Sequence, residues 1–241
     1  MGLKESGLRG SLRNVSVGID AIPDSDVFDI TFPMDEGSGD EFFDTFQDER
    51  ATFDGASWES GNVRGDFFIA FDEDTAETDN KLDPTQDDGA GFGTWFVLNS
   101  TGGMITSLYD YNDGTGIELS NDSSEIYVRF REEESGGTIG VSPSGGVETG
   151  QLYFASVSYH EVNEDVAVYL WEHDTGDASD DFVGSDSTSD DRVVEVEETL
   201  EWGREGSDTG QIDGQIGATD LALTTDPSQS DWEQVYEQFA P

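Results

Sequence analysis

The sequence predicts an all-β sandwich with one short helix at its C-terminal end, and three observations predict it. The first is a hairpin at residues 149–171, reading TGQLYFASVSYHEVNEDVAVYLW, in which two runs of alternating residues flank a polar turn. The second is the recurrence of short aromatic and β-branched runs separated by Gly, Asp and Ser along most of the chain. The third is that helical spacing is clear only near the end, where Trp232, Val235, Tyr236 and Phe239 fall at i, i+3, i+4 and i+7.

In the hairpin, Tyr153, Ala155, Val157 and Tyr159 share one face of the first run, and Val166, Val168 and Leu170 share one face of the second. A turn across residues 160–165 sets Val157 opposite Val168 and Tyr159 opposite Val166. Phe154, Ser156 and Ser158 then occupy the other face, opposite Trp171, Tyr169 and Ala167. An apolar face of that length needs a second sheet to cover it.

Taken from the start, residues 1–26 read as an arm separate from the body. Lys4, Arg9 and Arg13 lie within the first thirteen positions with Glu5 as the only acid there, and Leu3, Leu8, Leu12 and Val15 are interrupted by Gly7 and Gly10. AIPDSD at 21–26 reads as a turn. The body, residues 27–241, opens with Phe28, Ile30 and Phe32 as a strand turned by Gly37 and Gly39, and Phe67, Phe68, Ile69 and Phe71 form the next apolar run. The acidic stretch 72–91 reads as a solvated loop. Strands are expected at 92–98, at 104–109, and at 117–119 extending through 126–130. After the hairpin, 174–191 reads as a surface loop, Val193, Val194 and Val196 as a strand, and Ile212, Ile216 and Leu221 to Leu223 as the segment that closes the sheet. Ser230 and Glu233 are the expected capping box of the terminal helix.

The charge balance is extreme: 55 Asp plus Glu against 10 Lys plus Arg, a formal net charge of −45. Molar salt, where the Debye length falls to roughly 3 Å, would screen the resulting self-repulsion, so a halophilic setting is expected. The chain has no basic stripe to neutralise phosphates, which argues against direct nucleic-acid binding. No run approaches the length of a membrane span, so membrane insertion is not expected. With no cysteine, disulfide and thiol chemistry are excluded. The first twenty residues lack the continuous apolar stretch of a signal peptide and lack a twin-arginine pair.

Four segments, in this order, resemble the LamG-like, concanavalin A-like jelly-roll family. They are Asp-Glu-Gly-Ser-Gly at 35–39 after an aromatic strand; Ala56-Ser57-Trp58 with Gly61, Gly65 and Phe71-Asp72; the hairpin at 149–159, with Leu152 where the family carries tryptophan; and Gly214, Ile216 and Leu221 followed by the helix around Val235-Tyr236. The resemblance spans roughly residues 27–240 and implies a jelly-roll β-sandwich of a family whose members are mostly binding or adhesion modules, often attached to enzymes. The acidic pair of the family's closing motif falls on Gly217 and Ala218, so a cation held there is not expected.

Candidate chemistry is limited. Sandwich glycosidases use paired carboxylates at alternating positions of one strand, and no E-x-D-x-(x)-E lies within an apolar strand, so no enzyme is expected. His160 and His173 have no ligand-spaced partner and read as surface residues. Asp110, Asn112 and Asp113 before Gly114 have oxygen-rich spacing compatible with Ca2+, without the twelfth-position glutamate of an EF-hand loop. Tyr169 and Trp171, with Phe154 opposite, are the candidate aromatic platform for a sugar or a protein partner, the alternative being that another strand, the arm or a neighbouring subunit covers them.

The arm, GLKESGLRGSLRNVS, also resembles N-termini of structural proteins of haloarchaeal tailed viruses. The two resemblances imply a non-enzymatic virion protein, a capsid decoration, turret or tail component assembled in the host cytoplasm. Leu3, Lys4, Leu8, Arg9, Leu12 and Arg13 would dock on other virion proteins or on copies of the same chain, and the body would present a lectin-like face to host surface glycans. The alternative implied is a glycan-binding module of a haloarchaeal cell-surface or polysaccharide-degrading protein.

Overall fold

A computed structural model describes residues 27–45, 49–61, 67–72, 74–82, 89–110, 115–132, 135–160, 165–189, 198–203 and 211–240. Short strands come first: β1 (Ile30–Phe32), β2 (Glu41–Phe43), β3 (Arg50–Asp54), β4 (Ser57–Ser60), β5 (Phe67–Asp72) and β6 (Thr75–Thr78). Longer ones follow: β7 (Ala90–Leu98), β8 (Gly103–Asp110), β9 (Thr115–Asn121), β10 (Ile126–Glu132), β11 (Ser135–Val141), β12 (Leu152–His160) and β13 (Asp165–Glu172). The short helix α1 (Ala178–Asp181) leads into β14 (Phe182–Ser189), then β15 (Leu200–Trp202), β16 (Asp213–Ala222) and the helix α2 (Gln229–Phe239).

These strands form two antiparallel sheets. One runs β14-β13-β12-β7-β16-β5-β4, and the other β11-β10-β9-β8-β15-β6-β3-β2. β16 is long enough to serve two partners on one flank, β5 along its first half and β1 along its second, while β7 takes the other flank. The sheets face each other across one core in which Tyr153, Ala155, Val157, Tyr159, Val166, Val168 and Leu170 meet Leu119, Val128, Phe130 and Trp202. This is the expected jelly-roll class, and the hairpin register is the expected one: Val157 pairs with Val168, Tyr159 with Val166, and Phe154 with Trp171. Register follows from period-two alternation, because a slip of one residue would turn every apolar side chain of β12 outward.

Several segments depart from expectation. The single strand expected through 117–130 is two, β9 and β10, parted at Asp122, whose carboxylate accepts from the N–H groups of Ser124 and Glu125 and turns the chain there. Residues 174–191 are not a plain loop but hold α1 and all of β14, whose small residues pair along β13. Within the stretch expected to be solvated, β6 buries Ala76 and Thr78 between β3 and β15. The strand expected at Val193, Val194 and Val196 lies outside the described residues, as does the whole of 1–26. The helix starts earlier than expected. Asp231, not Glu233, reaches back to the N–H and hydroxyl of Ser228, so Ser228 rather than Ser230 caps the helix.

Candidate functional site

On the outer face of the first sheet, alternation places Trp95, Phe154, Trp171 and Phe182 side by side on β7, β12, β13 and β14. An amphipathic helix has to bury its apolar stripe, and α2 does so here through Trp232, Val235 and Tyr236. Tyr236 stacks on Trp95 at 4.9 Å between ring centroids and on Trp171 at 5.9 Å. Gly91 and Gly93 leave a trough in β7 for the Trp232 indole, and a Cβ at Gly93 would lie 2.7 Å from that ring. Trp171 Nε1 donates to the carbonyl of Ala178 at 3.1 Å.

Phe154 and Trp171 therefore have no exposed surface. The expectation that they present a platform is corrected: the chain's own C-terminal helix covers them. The side chain of Phe239, expected on the same stripe, lies outside the described residues.

Tyr169 differs from these two. It sits one pleat further along β13, level with Ser156 and Ser185, just past the N-terminal end of α2, and stays half-exposed. Around it a cleft of about 440 Å³ is lined by Ser158, His160, Asp165, Ala167, Ser187, Thr188 and Ser189, with residues 226–228 as the far wall. Each lining group has a local cause. β14 carries the run Ser185-Asp186-Ser187-Thr188-Ser189, too small to fill the space beside the ring. Ser189 Oγ donates to Asp165 Oδ1 at 2.5 Å and fixes that carboxylate at the mouth. Trp232 Nε1 donates to Ser158 Oγ at 2.8 Å, and Ser158 Oγ donates to the carbonyl of Pro227 at 2.5 Å, so the far wall is tied to the floor. Burial, and then the charge of Asp226, raise the Tyr169 phenol above its ordinary pKa, so it remains a neutral hydroxyl able to donate and accept.

A second cleft, of about 400 Å³, opens on the other sheet and is lined by Thr52, Phe53, Asp54, Thr75, Ala76, Glu77 and Glu201. On that sheet's outer row Glu77, Glu201, Ser107 and Glu118 are successive cross-strand neighbours. Glu118 is buried, accepts from Ser120 Oγ at 2.6 Å and lies 4.0 Å from Arg129. Cross-strand placement brought these acids together, which no spacing within one segment could reveal.

Of the expected cation loop, Asp110 ends β8 half-buried, while Asn112 and Asp113 lie outside the described residues. Among the described residues no group of three or more His, Cys, Asp or Glu side chains is arranged to hold a metal. Leu3, Lys4, Leu8, Arg9, Leu12 and Arg13 also lie outside them. His160 lines the Tyr169 cleft, and His173 is mostly covered, its Nδ1 3.1 Å from Tyr236 Oη. Among the described residues no helix is long and apolar enough to cross a membrane.

No family model matches the chain, and no curated protein matches it. Solved structures do. The botulinum neurotoxin serotype D binding domain superposes with a TM-score of 0.64 at 14% identity, over 88% of this chain and 52% of that one. The binding domain of Paraclostridial Mosquitocidal Protein 1 gives 0.65 at 11% identity, over 88% and 52%. Domain 4 of AbnA, a GH43 extracellular arabinanase from Geobacillus stearothermophilus, in complex with arabinotriose, gives 0.61 at 11% identity, over 88% and 99%. This chain spans about half the length of the two toxin binding domains and nearly all of the arabinanase domain. At these identities the likeness is one of fold.

Proposed function

We propose that the chain is a non-enzymatic carbohydrate-binding module that takes a sugar ring against Tyr169. The observation that carries this is the cleft itself: a half-exposed aromatic ring on a rigid strand, surrounded by hydroxyls and carboxylates that can pair with sugar hydroxyls. The arabinanase domain solved with arabinotriose, on the same fold, supports the reading. Glycan-array and calorimetric binding by purified protein would test it. Replacing Tyr169 with Ala should weaken the best ligand by about tenfold or more while leaving the melting temperature within a few degrees. Unchanged affinity in that variant would remove the site.

For the setting, we infer a virion component of a haloarchaeal virus, anchored by residues 1–26 to other virion proteins or to copies of itself. The supporting observation is that Lys4, Arg9 and Arg13 gather within thirteen residues of a chain whose net charge is −45. A basic arm on an acidic body favours an acidic neighbour, with Leu3, Leu8 and Leu12 supplying contact that salt does not screen. Deleting residues 2–22 should leave a folded body that no longer assembles. An unaltered assembly state in that variant would leave the glycan-binding module of a cell-surface or polysaccharide-degrading protein as the preferred setting.

A further inference from the structure

The charge around the Tyr169 cleft sets which sugars it can accept. Two carboxylates border it. Asp165 opens β13 and is held by Ser189, and Asp226 enters from the segment before α2, beside Gly89 at the start of β7. Asp226 is close enough to Tyr169 for its charge to act on the phenol. Among the described residues lining the cleft there is no lysine or arginine, and His160 is the one nitrogen-bearing side chain. The basic side chains described elsewhere are engaged on the other sheet: Arg50 with Glu41 and Asp79, Lys81 with Glu198, and Arg129 with Glu118.

We propose that this cleft selects uncharged, hydroxyl-rich sugar residues and rejects acidic ones, with Asp226 and Asp165 as the specificity-determining residues. The inference rests on the carbohydrate reading above and deepens it. A carboxylate only accepts hydrogen bonds, and a neutral hexose offers vicinal hydroxyls that can donate two at once to one carboxylate. A hexuronate or sialate brings a third negative charge into the same space, where the described lining sets two carboxylates against the single imidazole of His160. Proteins that read acidic sugars need a cation or a row of N–H donors at the carboxylate, and the described lining here supplies hydroxyls, two carboxylates and the single imidazole of His160 instead. The repulsion acts at short range, where salt screens it least.

The test uses the full chain and an array of oligosaccharide pairs that differ only at C6 of the terminal residue, a hydroxymethyl in one member and a carboxylate in the other. Binding of each pair is measured at one fixed molar salt concentration. The neutral member should bind at least about tenfold more tightly, and Asp226→Asn should shrink that ratio to about threefold or less. Asp165→Asn should shrink it in the same direction, and calorimetric melting of both variants confirms that they fold. Equal or tighter binding of acidic members by the unmodified chain overturns the selectivity while leaving the carbohydrate reading in place. A preference for the neutral member that persists in both variants overturns the role given to the two acids. Failure of every member of every pair to bind overturns the carbohydrate reading and the selectivity with it.

Discussion

Tyr236 Oη donates a hydrogen bond of 2.5 Å to Asp181 Oδ2, tying α2 to the turn that leads into β14. Asp181 also accepts from the Thr175 N–H at 3.0 Å, the Thr175 hydroxyl at 3.0 Å and the Gly176 N–H at 2.8 Å, while His173 Nδ1 stands 3.6 Å away. Burial on its own would raise the Asp181 pKa, but the donors from Tyr236, Thr175 and Gly176 outweigh it and hold the carboxyl at about 2. Burial, and then the same contact, raise the pKa of the Tyr236 phenol. The helix that covers Phe154 and Trp171 is thus pinned at one end by an ionised acid.

That arrangement fixes a pH dependence. A carboxyl whose folded pKa lies below its unfolded value, near 3.9, stabilises the fold above that value and ceases to do so as pH falls toward 2. The contribution at neutral pH is about 2 kcal/mol. Tyr236→Phe should lower stability at pH 7 by roughly 1–2 kcal/mol, and the gap from the unmodified protein should narrow between pH 4 and pH 2. Denaturant unfolding across that range reads it. A gap that stays constant down to pH 2 would mean that the hydroxyl acts by packing alone.

Asp220 works in the opposite sense. It lies fully buried on β16 and accepts from Thr31 Oγ1 at 2.6 Å, a bond that joins β16 to β1. Burial pushes its pKa up to about 7, with the Thr31 bond pulling only partly back. For an acid raised above its unfolded value, stability is greatest below about pH 4 and declines as pH climbs to 7, where the folded carboxyl at last ionises. Asp220→Asn keeps an acceptor for Thr31 and removes the ionisation. It should stabilise the protein at pH 8 by roughly 1–3 kcal/mol and flatten its pH profile between 4 and 7. A variant that is less stable at pH 8 would show that the carboxylate has a compensating partner.

How far the sequence disclosed this molecule depends on the range of the interaction involved. Alternation is local, so the pairing of Val157 with Val168, and the face shared by Tyr153 and Tyr159, could be read directly from 149–171. What covers the opposite face is set by contacts such as Trp232 over Gly93, nearly 140 positions apart, and no spacing within the hairpin encodes them. Tyr169 and Trp171 look equivalent in sequence, two residues apart on one face. They differ only because α2 covers one and ends before the other. β14 was hidden by its composition, since Gly, Ser and Asp are turn formers in isolation and form a strand here only because β13 offers an unpaired edge.

The covered aromatics give a packing prediction distinct from any effect on binding. Trp171 is fully buried between Phe154, Phe182 and Tyr236, so Trp171→Ala should cost roughly 3–5 kcal/mol of stability. Gly93→Ala forces a methyl to within 2.7 Å of Trp232 and 2.8 Å of Phe154 and should cost roughly 1–3 kcal/mol by displacing the helix. Equilibrium unfolding of both variants checks this. Near-neutral effects in both would mean that α2 is not seated on the sheet.

Salt provides the remaining prediction, because the core described here must hold together a chain with a formal net charge of −45. The two sheets meet through apolar side chains, which salt screening does not weaken, while acids on the outer faces repel one another over distances set by the Debye length. That length is roughly 3 Å at 1 M salt and 30 Å at 0.01 M, so at low salt each carboxylate feels most of the others. Lowering KCl from 3 M to 50 mM should therefore reduce the melting temperature by roughly 10 °C or more. Replacing the salt with sucrose at equal osmolality separates screening from general exclusion of solute, since sucrose carries no charge. If sucrose restores the melting temperature as well as KCl does, repulsion is not the cause. A melting temperature that is flat across the KCl series would remove the halophilic expectation altogether.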